Sequence, residues 1–158
     1  MRQLVRHRIA SINERSGRYT KFSEEWYLPS EIRIPDKDNR QGSVVSDDKT
    51  LNETAIEIIS KAYENSYDAY SKLLEMGVAR EVARVVLPTS MYTEAYWTIN
   101  ARSIMNFLNQ RADSHAQLEI QHYAIAIAEI LETSCPVTFD AFIRHNYTGD
   151  LLNKEVRG

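Results

Sequence analysis

An α+β fold, mainly helical with one or two strands, is what the sequence predicts, on three observations. Apolar side chains recur at helical spacing from Ile56 to Leu74. A second helical pattern runs from about Ser114 to Thr133. Residues 92–99 (Tyr-Thr-Glu-Ala-Tyr-Trp-Thr-Ile) are instead rich in aromatic and β-branched side chains, which suit a strand or extended segment.

The elements follow in chain order. Residues 1–8 are short and mixed and fit the end of a helix. Residues 8–19 contain Ser11, Asn13, Ser16 and Gly17, which favour local side-chain-to-backbone bonds, so a loop is expected. Residues 20–28 suit a strand that stops at Pro29. Residues 30–49 are polar, with Pro35, Gly42 and several Asp, and read as a mobile surface excursion. Thr50 and Glu53 then have the spacing of a capping box. Ile56, Ile59, Tyr63, Tyr67, Tyr70 and Leu74 form the buried stripe of the helix that follows, and Gly77 stands where it would stop. A short helix over residues 79–86 ends before Pro88. Residues 101–110 read as helix. Ser114 and Gln117 form a second capping box for a longer helix, whose core face is Leu118 or Ile120, Tyr123, Ile127, Ile130 and Leu131. Pro136 opens a last short helix carrying Phe139, Phe142 and Ile143. There is no internal repeat. Two isolated strands do not make a stable sheet, so partner chains or missing residues are expected to complete it.

The chain has 158 residues, enough for a single domain with its own core. Hydrophobic residues are 43% and charged residues 26%, the balance of a soluble globular protein. No apolar run approaches the roughly 20 residues that a membrane span needs. Arg2, Arg6, His7 and Arg8 interrupt the start where a signal peptide would need an apolar core, and the default compartment is the cytoplasm. The single cysteine, Cys135, excludes an internal disulfide framework and any zinc site built on several thiolates.

Charge is unevenly spread. Residues 1–21 carry Arg2, Arg6, Arg8, Arg15, Arg18 and Lys21 against Glu14 alone, a balance of +5 that leaves −8 for the rest of a chain with net charge −3. A basic block this dense asks for an anionic partner or is a solvated tail. Composition does not choose between the phosphate of a small nucleotide, nucleic acid and a membrane surface.

The residues themselves narrow the choice. In the run from Arg6-His7-Arg8 to Arg15-Ser16-Gly17-Arg18-Tyr19, arginine offers a planar fork of paired donors that never loses its charge, which suits phosphate. Ser16 adds a hydroxyl, Gly17 a backbone that can approach a ligand, and Glu14 the one acceptor, able to read an N–H or a ribose hydroxyl. Arg102, Asn106 and Asn109 are spaced i, i+4, i+7 and share one helix face opposite Ile104 and Leu108, a stripe that is either ligand-facing or solvated. Arg111, nine positions after Arg102, falls near the opposite side and is expected to serve a different pocket.

Arg6-His7-Arg8, seven residues, then Ser16 resembles the signature of the flavin-dependent thymidylate synthases. Ser11, Asn13, Arg18 and Tyr19 look like that family too. So do the tyrosine-rich helix, Arg80-Glu81-Val82-Ala83-Arg84-Val85-Val86-Leu87-Pro88, Asn100-Ala101-Arg102-Ser103, and the run from Asn106 to Gln117. The resemblance implies reductive methylation of deoxyuridylate (dUMP) to thymidylate (dTMP). Methylenetetrahydrofolate would give the one-carbon unit, and flavin adenine dinucleotide (FAD) reduced by NADPH the electrons. It implies FAD contacts at Arg6, His7, Arg8, Asn100, Arg102 and Asn106. It implies dUMP contacts at Gln3, Arg6, Glu14, Arg15, Ser16, Gly17, Arg18, Arg84 and Arg111, with Ser16 and Arg18 near the phosphate. Arg111 would lie against the uracil ring and stabilise charge developing there, while the cofactor supplies the hard chemical step. A homotetramer whose sites are shared between subunits is also implied, with no nucleic-acid or membrane partner.

Members of that family carry a long segment before the signature, with strands and further flavin contacts. This chain starts five residues before Arg6, so a version shortened at its N-terminus is expected. The alternative reading is a non-catalytic or split-protein fragment that binds dUMP or flavin only with a missing N-terminal partner. A nucleic-acid-binding domain using the basic end is a third.

Other signals carry less. Cys135 precedes Pro136 at an expected helix start, where a thiolate would be stabilised, but without a local base it reads as a buried structural thiol. His115, Glu119 and His122 fall at i, i+4, i+7, a possible metal face that does not match a known zinc spacing. Ser16 has no sequence-local base and reads as a phosphate ligand rather than a nucleophile. The Tyr63, Tyr67, Tyr70 stripe reads as core or subunit interface.

Overall fold

A computed structural model describes residues 1–37 and 42–152. Its strands are β1 (Ala10–Glu14), β2 (Arg33–Pro35), β3 (Ser43–Val45) and β4 (Ala95–Ile99). Its helices are α1 (Lys49–Glu75), α2 (Arg80–Ala83), α3 (Ala101–Arg111), α4 (Leu118–Ser134) and α5 (Pro136–His145). Short 3-10 turns stand at Leu4–Arg6 and Arg84–Val86. The fold is α+β and mainly helical, but its strands make two two-stranded sheets, β1 with β4 and β2 with β3. The chain forms two compact units, one of Asn13–Ala95 and one of Met1–Ile12 with Tyr96–Gly158.

In the Asn13–Ala95 unit, α1 begins two residues before the expected box. Asp48 caps it by accepting the Leu51 N–H at 3.0 Å, and the Thr50 box is not used. The carboxylate wins because it offers a charged acceptor to the free amides and to the positive end of the helix. At the other end Gly77 has φ +82, its N–H donates to Leu74 O, and the Val78 N–H reaches back to Leu73 O. This is the αL termination that glycine permits.

The expected tyrosine stripe is the packing face of α1. Tyr70 is fully buried, and the Tyr67 hydroxyl donates to Phe22 O at 3.2 Å. Trp26 packs on Tyr63 at 5.5 Å between ring centroids. That packing corrects the strand expected over residues 20–28. Phe22 and Trp26 are spent on the helix face, and only an isolated bridge pairs Trp26 with Met91. The excursion expected over residues 30–49 contains an antiparallel hairpin in the register Arg33↔Val45, Ile34↔Val44, Pro35↔Ser43. Its residues 38–41 lie outside the described residues. Asn52 ties the hairpin base to α1, accepting the Ile32 N–H at 2.7 Å and donating to Ser46 O at 2.8 Å.

The other unit owns a core of Phe107 and Leu108 from α3, Ile120, Ala124, Ala128 and Leu131 from α4, Phe139 and Phe142 from α5, and Ala112 and Leu152. The core face expected for α4 holds at Ile120 and Leu131, with Ile127 packed against the core, and is corrected elsewhere. Ala124 and Ala128 are 0% exposed, whereas Tyr123 is 61% and Ile130 65% exposed, and Leu118 is also on the surface. Small side chains let α4 lie close to α3 and α5, so the larger apolar residues are turned outward. The second capping box is not formed either: Gln117 is the N-cap residue with no side-chain cap, and the Ser114 N–H is taken by Asp150 Oδ1 at 2.8 Å. The loop expected over residues 8–19 contains β1 at Ala10–Glu14, while residues 15–19 are turn and irregular backbone as expected.

Candidate functional site

The richest cluster of polar side chains in the unit of Met1–Ile12 with Tyr96–Gly158 surrounds the start of α3. Asn100 caps that helix, its Oδ1 accepting the Ser103 N–H at 2.9 Å. The cap consumes the amide oxygen and leaves the NH2 as a donor. One face of α3 and the segment just before β1 line one cavity of about 740 Å³. Arg6, His7, Arg8 and Ile9 come from one stretch, and Asn100, Arg102, Ser103, Asn106 and Gln110 from the other. Three guanidiniums and the amino end of an 11-residue helix favour an anion there. No Asp or Glu is among its described lining residues. The six residues expected at a flavin thus line a single cavity.

His7 and Arg111 form a second contact. The Arg111 Nε–H donates to His7 Nε2 at 3.3 Å, while the imidazole stands edge-on to Phe107 at 4.8 Å between centroids. A ring nitrogen that accepts must hold its lone pair, so His7 is neutral with its proton on Nδ1. Burial, and then the Arg111 charge, hold His7 below its usual 6.5. Arg111 is half-buried in the last turn of α3 and is not among the cavity's lining residues, so the half-turn separating it from Arg102 persists in three dimensions. Asn109 departs from expectation. Its amide donates to Asn146 O at 3.1 Å and accepts the Thr148 N–H at 3.0 Å, so it ties down a turn rather than facing the cavity. Gln110 stands on the cavity wall, its Nε2 donating to Asn106 Oδ1 at 3.3 Å. Sequence reasoning missed it because an exposed glutamine near a helix end carries no distinguishing pattern. Gln3 lies elsewhere in the same unit, donating to Gln117 Oε1 at 2.6 Å. Its own Oε1 is buried without a hydrogen-bond partner among the described residues.

The Asn13–Ala95 unit has a smaller pocket of about 140 Å³ whose lining includes Arg15, Ser16, Gly17, Thr20, Lys21 and Glu94. The Ser16 Oγ accepts the Arg18 N–H at 3.3 Å, which sets the turn. Gly17 is buried, and a Cβ there would run into the Phe22 ring. Lys21, read from sequence only as part of the basic block, joins this wall. Three expected nucleotide ligands of this unit do not line it. Arg18 is held by α2, its Nε 3.1 Å from Glu81 Oε2, while Arg80 donates to Tyr19 O at 2.7 Å. Glu14 and Arg84 are exposed and are likewise absent from the lining. The expected dUMP residues are divided between the units, with Gln3, Arg6 and Arg111 in one and Glu14 to Arg18 and Arg84 in the other.

Two lesser signals are corrected. Cys135 is exposed, not buried. His115 precedes α4 and pairs with Asp113 at 2.9 Å, so it does not share a helical face with Glu119 and His122. Among the described residues no group of three His, Cys, Asp or Glu side chains is placed to hold a metal ion.

Comparison with known proteins gives these positions a context. The chain is 69% identical over 155 residues to a flavin-dependent thymidylate synthase of Kosmotoga olearia, covering 98% of this chain and 67% of that protein. It is 55% identical over 151 residues to the flavin-dependent thymidylate synthase of Thermosipho africanus, covering 96% and 66%. The crystal structure of a UMP/dUMP methylase, PolB from Streptomyces cacaoi bound with 5-Br UMP, superposes with a TM-score of 0.85 at 33% identity, over 94% of this chain and 70% of that one. The chain thus spans about two thirds of the length of the curated relatives it matches. The family model described as thymidylate synthase complementing protein (Thy1) matches residues 1–137, and this chain belongs to that family.

Proposed function

We propose that this chain acts as a flavin-dependent thymidylate synthase, methylating dUMP to dTMP with methylenetetrahydrofolate as carbon donor and NADPH as reductant through FAD. The carrying observation is the cavity in which Arg6, His7 and Arg8 meet Asn100, Arg102 and Asn106. Its chemistry fits a dinucleotide flavin: guanidiniums and a helix amino end suit the diphosphate, and the amides of Asn100, Asn106 and Gln110 suit the polar edge of the ring. When bound, reduced flavin supplies the hydride of the reaction.

The protein's own residues then bind and polarise. Ser16 and Gly17, with Arg15 and Lys21 beside them, offer a hydroxyl, a close backbone and two cations to the dUMP phosphate, against Glu25 and Glu94 on the same wall, Glu94 lying 3.6 Å from the Arg15 guanidinium. Arg111, half-buried and directed by neutral His7, stabilises negative charge on the uracil as the C5 carbon is made nucleophilic. In this reading residues 1–158 form one thymidylate-synthase-like domain. A homotetramer with shared sites is part of this reading; the exposed Tyr123 and Ile130 on α4 offer an apolar surface that a second copy could cover. No helix among the described residues is long and apolar enough to cross a membrane, and we place the protein in the cytoplasm.

Purification tests the proposal directly. A yellow protein with a flavin absorption band, losing dUMP methylation but not flavin on Arg111→Ala, is the expected result. A colourless protein that resists reconstitution yet binds dUMP would instead favour a non-catalytic fragment. Binding of random oligonucleotides without dUMP binding would overturn both.

A further inference from the structure

The last turn of α3 is held by hydrogen bonds that no role assigned above requires. Ala112 ends the helix; its N–H still donates to Leu108 O at 2.9 Å, but its own carbonyl has no place in the helical ladder. That carbonyl accepts from the Tyr147 hydroxyl and from the Leu151 N–H at 3.4 Å. The same hydroxyl oxygen accepts the Leu151 N–H at 3.1 Å and the Leu152 N–H at 3.2 Å. A phenol has one donor and two acceptor sites, so Tyr147 is used to capacity. Asn109 brackets it from the preceding turn through Asn146 O and the Thr148 N–H. Asp150 Oδ1 takes the Ser114 N–H at 2.8 Å. Gly149 is needed for the approach, because a Cβ there would lie 2.6 Å from Ala112 O.

We propose that Tyr147 is a positioning residue for Arg111, its hydroxyl clamping the carboxyl end of α3 to the turn over residues 146–152. Arg111 lies between Asn109 and Ala112, both fixed by that turn, and its Nε meets His7 3.3 Å away. A hydrogen bond at that distance tolerates little rotation of the helix end before it is lost. The body of α3 is anchored separately, by fully buried Phe107 and Leu108, so the clamp governs the terminus rather than the helix. The turn lies past residue 137, beyond the matched family model. This inference rests on the proposed role of Arg111 at the uracil.

The test is Tyr147→Phe, which keeps the ring packed on Phe142, 5.6 Å between centroids. Two signals are read by NMR in the intact chain: solvent exchange of the Arg111 Nε–H and titration of the His7 imidazole. The charged groups around His7 are Arg111 from α3, Arg6 and Arg8 beside it, and Arg102 on the cavity wall. With the clamp released, Arg111 exchange rises by about tenfold or more, the factor that corresponds to about 1.4 kcal/mol of lost protection. His7 then titrates closer to its usual 6.5. Unchanged exchange and titration, at a temperature where the variant is folded, would overturn the proposal. If Tyr147→Phe does not fold, Gly149→Ala is read the same way, because its added Cβ would run into both the Tyr147 hydroxyl and Ala112 O and part them. The two readings fail separately: normal methylation by Arg111→Ala refutes the uracil role, whereas an unmoved Arg111 and His7 in Tyr147→Phe refutes the clamp.

Discussion

His7 and Arg111 share one N–H···N hydrogen bond, and the charge state of the histidine decides whether it exists. Protonation would replace the acceptor lone pair with a second cation facing the guanidinium. The folded value lies below the unfolded 6.5, so the unfolded chain takes up this proton first as pH falls. The contribution of neutral His7 to stability is therefore complete above 6.5 and is lost as pH drops through the folded value. Urea midpoints measured from pH 7.5 downward should fall across that window, and Arg111→Ala should narrow it by removing the repulsive charge. A window of unchanged width would show that Arg111 does not act on His7. The basic signature was legible at this scale because arginine and histidine are informative residues. The Arg111–His7 pair was not, since it joins positions far apart in sequence and depends on how Phe107 seats the imidazole.

Among the elements, α4 separates what periodicity reveals from what packing decides. Its apolar residues are so numerous that more than one helical face satisfies the pattern, and ranking them by size finds Ile120 and Leu131 but also takes in Tyr123 and Ile130, which are exposed. The buried stripe Ile120, Ala124, Ala128, Leu131 is set by how close α3 and α5 can come. Replacing Ala128 by Leu should destabilise the chain by about 1–3 kcal/mol in urea unfolding, through overpacking. Ile130→Ser should leave the unfolding midpoint of the isolated chain within about 0.5 kcal/mol, while shifting sedimentation toward smaller species if that face is an interface. A large loss of stability in Ile130→Ser would place the residue in the core instead. The ends of α1 show the same division. Gly77 announced its stop, because few residues adopt its φ, whereas Asp48 displaced the Thr50 box by offering the better acceptor.

At the scale of the whole molecule, the basic block resolves into parts with different work. Arg6 and Arg8 line the larger cavity, Arg15 and Lys21 the smaller pocket, where Arg15 lies 3.6 Å from Glu94, and Arg18 is paired with Glu81. Ligand binding at either place should weaken as salt rises, since exposed guanidiniums are screened beyond about 8 Å at physiological ionic strength. Titrating flavin and dUMP separately from about 0.05 to 0.5 M salt checks this; affinities indifferent to salt would mean that the arginines are bystanders. The sequence by itself determined the helices with strong periodicity, the turn at Gly77, the family and the residue types that gather at the larger cavity. These rest on local spacing and on rare residues in fixed order, which need no neighbour to be read. Only the tertiary structure decided that Phe22 and Trp26 pack on α1 instead of extending as a strand, that alanines rather than Tyr123 and Ile130 face the core, and that Tyr147 holds the end of α3. Each is a competition between partners distant along the chain, settled by which burial and which hydrogen bonds can be satisfied together.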